Sequence, residues 1–442
     1  MDIRTADPAS PADPADPAGP ASGVAIAVVL GTRAEAVALA PVVRALRRTP
    51  GVRPLVVSTG QHHDLLEQVL RPLGVRPDVD LAVPGHGEPL RRVTAGVVEQ
   101  LGELLAARRP DAVLVHGDST TAFGGALAAF SEGIGVGHVG AGQRTGIADD
   151  PFPEEANRRL IAPLARWHLA PTAAAAANLL TEGVDPAMIT VSGSTGLDAL
   201  LWAADMQRGV SAFRGRRSAE RAAPRLLVTL QRREHEGEAM VRIAGALRRI
   251  AADGVDVVLP LHPSPGTRAA LRPALEGSAV RVVDPLDYLD FVATLADATL
   301  VVTDAGALQE EAPSLGKPVL VLRDTTDRPE GVAAGVARLI GTDPDVLVDA
   351  CRLLLPGGEA YRSMVLPCSP YGDGRAAPRV VRAVLATLLG PGWDAVPRVG
   401  GGFTRARTSA SPAAAAGHPG ILPRPAPDAA TGAQRHVAAL VG

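Results

Sequence analysis

The feature that most constrains the fold is a short apolar run followed by a helical pattern, which recurs along the chain. The first copy is VAIAVVL (24–30), which ends at Gly31 and leads into a helical pattern through Leu46. A run that is apolar at every position is typical of a strand buried on both faces of a parallel sheet, with the helix as its crossover. The further strands predicted in this first series are 53–58, 111–117, 135–139, 168–172 and 189–193.

A second series of such units follows a polar, arginine-rich interruption at 206–224. Its predicted strands are 225–230, 255–261, 280–284, 298–304 and 318–322, and its predicted helices are 236–252, 266–275, 287–296 and 305–314. Two such series predict an α/β protein with two doubly wound, Rossmann-like domains, and the alternative is one large open sheet. Ligands of these folds bind beyond the carboxyl ends of the strands, so two domains would enclose a ligand in the cleft between them.

The domain boundaries follow from these series and from the composition of the ends. The expected order is a disordered tail (1–22), an N-terminal domain (23–204), a linker (205–224), a C-terminal domain (225–375), a last helix (376–391) and a second disordered tail (392–442). Both tails are rich in proline and alanine, which cannot build a packed core.

Charge and cysteine content bear on the partners and the compartment. The formal net charge of −3 gives no bulk attraction to nucleic acid or to an anionic membrane. No apolar run approaches the roughly 20 residues of a membrane span, and the N-terminal segment lacks the regions of a signal peptide. Cys351 and Cys368 have no metal-ligand spacing and form no disulfide framework. We therefore expect a cytoplasmic protein without a metal site.

Polar residues cluster at the ends of the predicted strands of the first domain. Gly31 opens a turn into a helix N-terminus, whose free N–H groups, with the guanidinium of Arg33, suit a phosphate. Asp118 follows the third predicted strand, where it could equally cap the next helix. Glu154 and Glu155 stand at a further helix start, where carboxylates also favour the helix dipole. Each residue has an ordinary structural interpretation, and their concentration at successive strand ends is what indicates a site.

The second domain repeats this arrangement. Gln231 and His262 follow its first two predicted strands, and Gly306 lies at another helix N-terminus that is suited to a diphosphate. Glu311, one turn into that helix, could accept hydrogen bonds from ribose hydroxyls.

With these residues in place, the chain resembles the non-hydrolysing UDP-N-acetylglucosamine 2-epimerases, which have the glycosyltransferase-B architecture. The resemblance covers residues from about 24 to about 390. It rests on GTRAEAVALAPVV (31–43), STGQHHDLLEQVL (58–70), VLVHGDSTT (113–121), PFPEEANRRL (151–160), QEEAPSLGKPVLVLRDTTDRPEGV (309–332) and PYGDG (370–374). It implies a homodimeric isomerase without a cofactor, which interconverts UDP-GlcNAc and UDP-ManNAc through elimination of UDP to a 2-acetamidoglucal and re-addition of UDP.

The resemblance also implies roles for single residues. The positions that match the substrate-handling residues of the family are Arg33, Asp118, Glu154, Arg158, Gly306 and Glu311. Asp118 and Glu154 are the expected acid–base carboxylates, and UDP is expected on the second domain, with Glu311 at the ribose. Gln61, His62 and His262 match a regulatory UDP-GlcNAc site, although both histidines could be ordinary polar residues at loop ends.

The chain departs from the family pattern at positions that carry chemistry. Gly140 stands where the family has a catalytic glutamate, and Gln231 where it has a histidine. Ala38 and Ala305 replace a lysine and a phosphate-binding serine. Gly140 cannot transfer a proton and Gln231 cannot become cationic, and losing a positioned acid or base typically lowers the rate about 10²–10⁴-fold.

Three functions therefore stay open at this point. The first is a 2-epimerase-like enzyme that acts on a UDP-N-acetylhexosamine with a rearranged acid–base set. The second is a reassigned enzyme that eliminates or hydrolyses UDP or transfers the sugar, and the third is a non-catalytic nucleotide-sugar-binding protein.

His235, four residues after Gln231, could replace the lost cation at the diphosphate. This requires that the loop continue directly into a helix, because residues four apart then share one face. The alternative is a solvated residue in the first turn of that helix.

Overall fold

The computed structural model describes residues 23–60, 66, 69–83, 88–213, 223–365 and 369–390, with the side chains of these residues except 209–213 and 233. The strands of the first sheet are β1 (Val24–Leu30), β2 (Val52–Ser58), β3 (Val79–Asp80), β4 (Ala112–His116), β5 (Gly135–Val139), β6 (Ala165–Ala170) and β7 (Ile189–Val191). The strands of the second are β8 (Arg225–Thr229), β9 (Asp256–Pro260), β10 (Arg281–Val283), β11 (Leu300–Thr303), β12 (Val319–Val321) and β13 (Ala337–Leu339).

Helices connect the strands of both sheets. In the first domain they are α1 (Arg33–Arg47), α2 (Leu90–Arg108), α3 (Thr120–Ser131), α4 (Glu154–Ile161), α5 (Ala173–Thr181) and α6 (Thr195–Phe213). The remaining helices are α7 (Glu238–Ala252), α8 (Pro265–Leu275), α9 (Tyr288–Ala296), α10 (Gly306–Ser314), α11 (Pro329–Ala333), α12 (Pro344–Leu354), α13 (Glu359–Met364) and α14 (Ala376–Leu389).

The two sheets confirm the predicted fold class and exclude the single open sheet. Their strand orders are β3-β2-β1-β4-β5-β6-β7 and β10-β9-β8-β11-β12-β13, and the strand pairs are parallel. In each sheet the order reverses beside the first strand, between β1 and β4 and between β8 and β11. Ligands of doubly wound sheets bind at this reversal, so the fold directs attention to the residues that follow these four strands.

The burial of β1 explains why its sequence is apolar throughout. Ile26 and Leu30 pack into one apolar cluster, whereas Ala27 and Val29 pack into another. Successive side chains of a strand point to opposite faces, so a strand covered on both faces needs apolar residues at every position.

Two helices connect the domains. Helix α6 packs on α1 of the first domain and on α9 and α10 of the second. It runs to Phe213, into the segment that we assigned to the linker. Helix α14, which follows the second domain in sequence, packs back on α1. The N–H groups of Ala376 and Ala377 at its start donate to Asp198 at 2.9 and 2.7 Å.

Seven elements have no counterpart in the sequence analysis, namely β3, β13, α2, α6, α11, α12 and α13. The two strands have only two and three residues, too few to show a period. Helix α2 begins after Pro89 without a side-chain cap, so the usual start signal is missing. In the parts of the chain that the structure describes, no helix is long and apolar enough to cross a membrane.

Gly31 is expected to tolerate no side chain. A Cβ atom there would overlap the hydroxyls of Thr59 and Thr121, which hydrogen-bond each other at 3.1 Å. Gly31→Ala should lower the free energy of unfolding by about 1–3 kcal/mol, the usual cost of overpacking a dense interior.

The matched control is Gly102→Ala in α2, where an added Cβ meets no described atom within 4 Å. Alanine there should be neutral or stabilise the helix by up to about 1 kcal/mol. Urea unfolding measures both variants, and equal midpoints would contradict the prediction.

Candidate active site

A buried network of charges joins the two domains at the strand ends. At its centre is Arg158 of α4, whose side chain is 2% exposed. Its guanidinium binds Asp118 of the first domain and, at 2.6 Å, Asp327 of the second. Asp327 also contacts Arg328 and lies 3.4 Å from Arg323. Each of these buried cations has a carboxylate partner, which offsets the cost of removing its charge from water.

A second polar bridge lies beside the first. Glu310 of α10 accepts hydrogen bonds from Arg328 Nε at 2.7 Å and from Gln143 Nε2 of the first domain at 3.0 Å. The Arg328 guanidinium packs so closely on Gly306 that a Cβ there would overlap it. Glycine at 306 therefore keeps room for a cation at the N-terminus of α10.

The network holds its carboxylates in the ionised form. Burial raises the pKa of Asp118, but the charges of Arg158 and Arg328, together with the hydrogen bond from Arg158, outweigh this effect and the net pKa is lowered. Burial likewise opposes ionisation of Asp327, and Arg158 and Arg328 together hold its pKa far below the usual range. Both side chains are therefore anions at neutral pH.

The adjacent carboxylates Glu154 and Glu155 have different surroundings. Glu155 is fully buried and binds both Arg158 and Arg159 at 3.2 Å. Glu154 has one oxygen, Oε2, that is buried and has no hydrogen-bond partner among the described residues. Burial and the charge of Asp118 raise the pKa of Glu154. Glu155 is thus a structural residue, and Glu154 is a carboxyl group that retains its proton more readily than usual.

Asp118 is not the cap of the helix that follows it. Ser119, one residue after Asp118, is the cap of α3, and its Oγ accepts from the N–H of Ala122 at 3.0 Å. Helix α4, which starts at Glu154, has no side-chain cap. The side chain of Asp118 therefore does not cap α3, and Glu154 has a hydrogen bond with its own backbone N–H.

A cavity of about 360 Å³ lies against the loop before Glu154 and reaches Glu234 of the second domain. Its lining residues are Leu90, Asp149, Asp150, Pro151, Phe152, Pro153 and Glu234. The loop that precedes α4 forms most of the wall.

The turn after β1 corrects one interpretation from the sequence. The N–H groups of Gly31 and Thr32 both donate to Glu35 Oε2 at 2.7 Å, because Glu35 and Thr32 form a capping box at the start of α1. These donors are not free for a phosphate, so that interpretation of the turn was wrong. Ala38, where the family has a lysine, is buried in the same helix.

Arg33 leaves this turn toward the second domain. Its Nη2 donates to Leu286 O at 3.2 Å, and its guanidinium lies 5.8 Å from the centre of the Phe291 ring. Burial lowers the pKa of Arg33, although the negative charge of Glu311 acts in the opposite direction. Burial and the charge of Glu310 in turn raise the pKa of Glu311 to about 7.

The N-terminus of α10 lies beside these side chains in the second domain. Its cap residue, Ala305, makes no side-chain capping hydrogen bond. Alanine in place of a hydroxyl residue thus leaves the first-turn N–H groups without a side-chain acceptor. Such a helix end binds anions.

Asp304 organises the loop that follows β8. The N–H groups of Gln231 and Arg232 donate to its carboxylate at 3.1 and 3.0 Å, and His235 Nδ1 lies 3.2 Å from it. The side chain of Gln231 is exposed, whereas His235 is buried. The imidazole is therefore tied to Asp304.

Replacement of the lost cation by His235 requires that this loop continue directly into a helix. The loop does not do so. His235 ends a short 3₁₀ turn, and α7 begins only at Glu238, after Gly237 with a φ of 89°. Gln231 and His235 consequently do not share one helix face.

The structure describes one of the three residues that were predicted to form a regulatory site. Gln61 and His62 lie outside the described residues. His262 follows β9, and its Nδ1 accepts from the N–H of Ser264 at 3.2 Å. The regulatory site stays a prediction.

The sequence analysis missed Asp327, Arg328 and Glu310, which form the second-domain half of the network. One signal was present, because the charged segment RDTTDRPEG (323–331) begins two residues after the end of β12. Strand ends with dense charge are candidate sites in this fold, but which charges would pair across the cleft was not visible.

Two doubly wound parallel domains with a buried charge network between them define a protein of the glycosyltransferase-B type. The chain belongs to the UDP-N-acetylglucosamine 2-epimerase family, whose model matches residues 44–385.

Individual relatives agree with this assignment. The UDP-N-acetylglucosamine 2-epimerase of Escherichia coli K12 is 42% identical over 367 residues, which cover 81% of this chain and 98% of the relative. That of Bacillus subtilis is 42% identical over 363 residues, covering 81% and 94%. The crystal structure of the Neisseria meningitidis UDP-GlcNAc 2-epimerase bound to UDP-GlcNAc is 37% identical, with a TM-score of 0.77 over 82% of this chain and 100% of that one.

Arg158→Ala should lower the free energy of unfolding by about 3–5 kcal/mol, because it leaves buried carboxylates without their counter-charge. The matched control is Arg159→Ala, the next residue, whose side chain is 46% exposed and binds only Glu155 among the ion pairs described. Glu155 is buried but keeps its pair with Arg158 in this variant, so loss of the half-exposed partner should cost less, about 1 kcal/mol. Chemical denaturation decides, and an equal loss in the two variants would show that the network does not stabilise the fold.

Proposed function

We propose that the chain is a UDP-N-acetylglucosamine 2-epimerase-type isomerase that acts on a UDP-N-acetylhexosamine. The reaction is elimination of UDP across C1 and C2, followed by its re-addition. The observation that carries this proposal is the pair Asp118 and Glu154, whose pKa values shift in opposite directions at the domain boundary. Carboxyl groups whose pKa values are shifted apart can divide the roles of anion and proton donor.

In this proposal UDP binds to the second domain. The free N–H groups at Gly306 and the guanidinium of Arg328 supply donors and positive charge for the diphosphate. Glu311 accepts hydrogen bonds from the ribose hydroxyls. Arg33 contributes from the first domain, where it already reaches across to Phe291.

The sugar then faces the first domain. Asp118, an anion paired with Arg158, stabilises the positive charge that develops at C1 as UDP departs. Glu154, which retains its proton more readily, donates a proton to C2 when UDP returns. His235 acts only indirectly, through the Asp304 carboxylate that fixes the Gln231–Arg232 turn.

A second candidate function is release of UDP without epimerisation. The observation that favours it is Gly140, which has a φ of 80° and no side chain that could return a proton. An enzyme that eliminates UDP but cannot reprotonate C2 would release the glycal. The homodimer that the resemblance implies stays a prediction, which light scattering after gel filtration would test.

Incubation with UDP-GlcNAc in D₂O, followed by proton NMR, separates these functions. The epimerase reaction should exchange the C2 proton for deuterium and produce UDP-ManNAc, because C2 is deprotonated and reprotonated in every turnover. Free UDP with a glycal or a free sugar would support the second candidate instead. Binding without exchange and without release of UDP would overturn both.

Glu311→Ala should weaken UDP binding by about 1–3 kcal/mol, because the ribose loses hydrogen bonds to a charged group. Glu359→Ala, at an exposed position of the same domain, is the control and should leave the affinity unchanged. With a pKa of about 7, Glu311 ionises between pH 6 and 8, so the affinity of the wild type should rise over this interval. Calorimetry that finds equal affinities in the wild type and Glu311→Ala would remove Glu311 from the ribose site.

A further inference from the structure

His116, the last residue of β4, has no assigned role although it lies two residues before Asp118. It is partly exposed, and neither ring nitrogen hydrogen-bonds a residue within the described ranges. The neighbouring strand shows the contrast, since His138 Nε2 lies 2.7 Å from Gly117 O. The ring nitrogens of His116 are therefore available to a ligand.

The Nε2 atom of His116 faces the space beside Gly140. In the register of β4 and β5, His116 pairs with Val139, the residue before Gly140. A Cβ built on Gly140 would lie 3.5 Å from His116 Nε2, at ordinary van der Waals distance and without overlap. The glycine thus leaves room for a substrate group directly against the imidazole.

Three charged side chains influence the ring. Burial, with a smaller effect of the positive charge of Arg328, lowers the pKa of His116 to about 4. The negative charges of Asp118 and Glu310 act in the opposite direction. The imidazole is consequently neutral at physiological pH, and one ring nitrogen carries a free lone pair. Asp118 and Glu310 each form an ion pair with an arginine. Of these three possible bases, His116 is therefore the one that is available to accept a proton.

We propose that His116 Nε2 is the base that removes the C2 proton of the sugar, in the space that Gly140 leaves open. The proposal rests on the proposed function, which assigns no base to the C2 proton. In that function Glu154 is the proton donor and Asp118 is paired with Arg158. The proton moves from C2 to Nε2, and the C2–H electron pair forms the C1–C2 double bond. The bond from C1 to the β-phosphate oxygen breaks, and UDP leaves with that electron pair.

The test compares His116→Gln with the wild type in D₂O. Glutamine keeps a polar side chain but cannot take up the proton, so deuterium incorporation at C2 should fall about 10²–10⁴-fold. UDP affinity, measured by calorimetry, should stay within about twofold. The control is His168→Gln on β6, a buried histidine of the same sheet, which should exchange at the wild-type rate.

Chemical rescue distinguishes a catalytic imidazole from a structural one. His116→Gly should regain C2 exchange when free imidazole is added, because imidazole can enter the enlarged space beside Gly140. Unchanged exchange in His116→Gln would overturn the assignment and leave the proposed function standing. Equal losses of UDP affinity and of exchange, without rescue, would also overturn it. Absence of both exchange and UDP-sugar binding in the wild type would overturn the proposed function itself.

Discussion

The ion pairs of Arg158 with Asp118 and Asp327 are the interaction on which the geometry of the cleft depends. One buried guanidinium binds carboxylates from both domains. A buried charge without a partner is costly, so the pairing restricts how the two sheets can be placed at their strand ends. Arg328, Glu310 and Gln143 add a second connection of the same kind. Helix α6, packed on both domains, adds the apolar part of this interface.

The same charges set the protonation states around the site. Arg158 keeps Asp118 ionised, and the resulting negative charge, with burial, raises the pKa of Glu154. Arg328 shares its charge between Asp327 and Glu310 while it packs on Gly306 at the start of α10. Structural and chemical roles are thus not separable here, because one set of arginines connects the domains and adjusts the carboxyl groups.

Local sequence patterns were sufficient to predict the long buried strands. The long apolar runs predicted β1, β4 and β8 because a strand buried on both faces needs apolar residues throughout. The very short strands β3 and β13 left no pattern. The turn at Gly31 shows a different failure, since its glycine and its helix start suggested free N–H groups. The position of Glu35 three residues after Thr32 was the sequence signal of a capping box, and that box occupies the donors.

The sequence by itself determined the two-domain α/β architecture, the family, and the loss of side-chain chemistry at Gly140 and Gln231, because these depend on residue type and on periodicity along the chain. Only the tertiary structure decided which charges meet. Arg158 and Asp327 are 169 positions apart, and no local pattern predicts that one neutralises the other. The difference between Glu154 and Glu155, which are adjacent and chemically identical, likewise arises from the tertiary structure. Glu155 pairs with two arginines, whereas Glu154 keeps a buried oxygen that has no partner in the described part of the chain. Desolvation and the distance to other charges are properties of the folded chain.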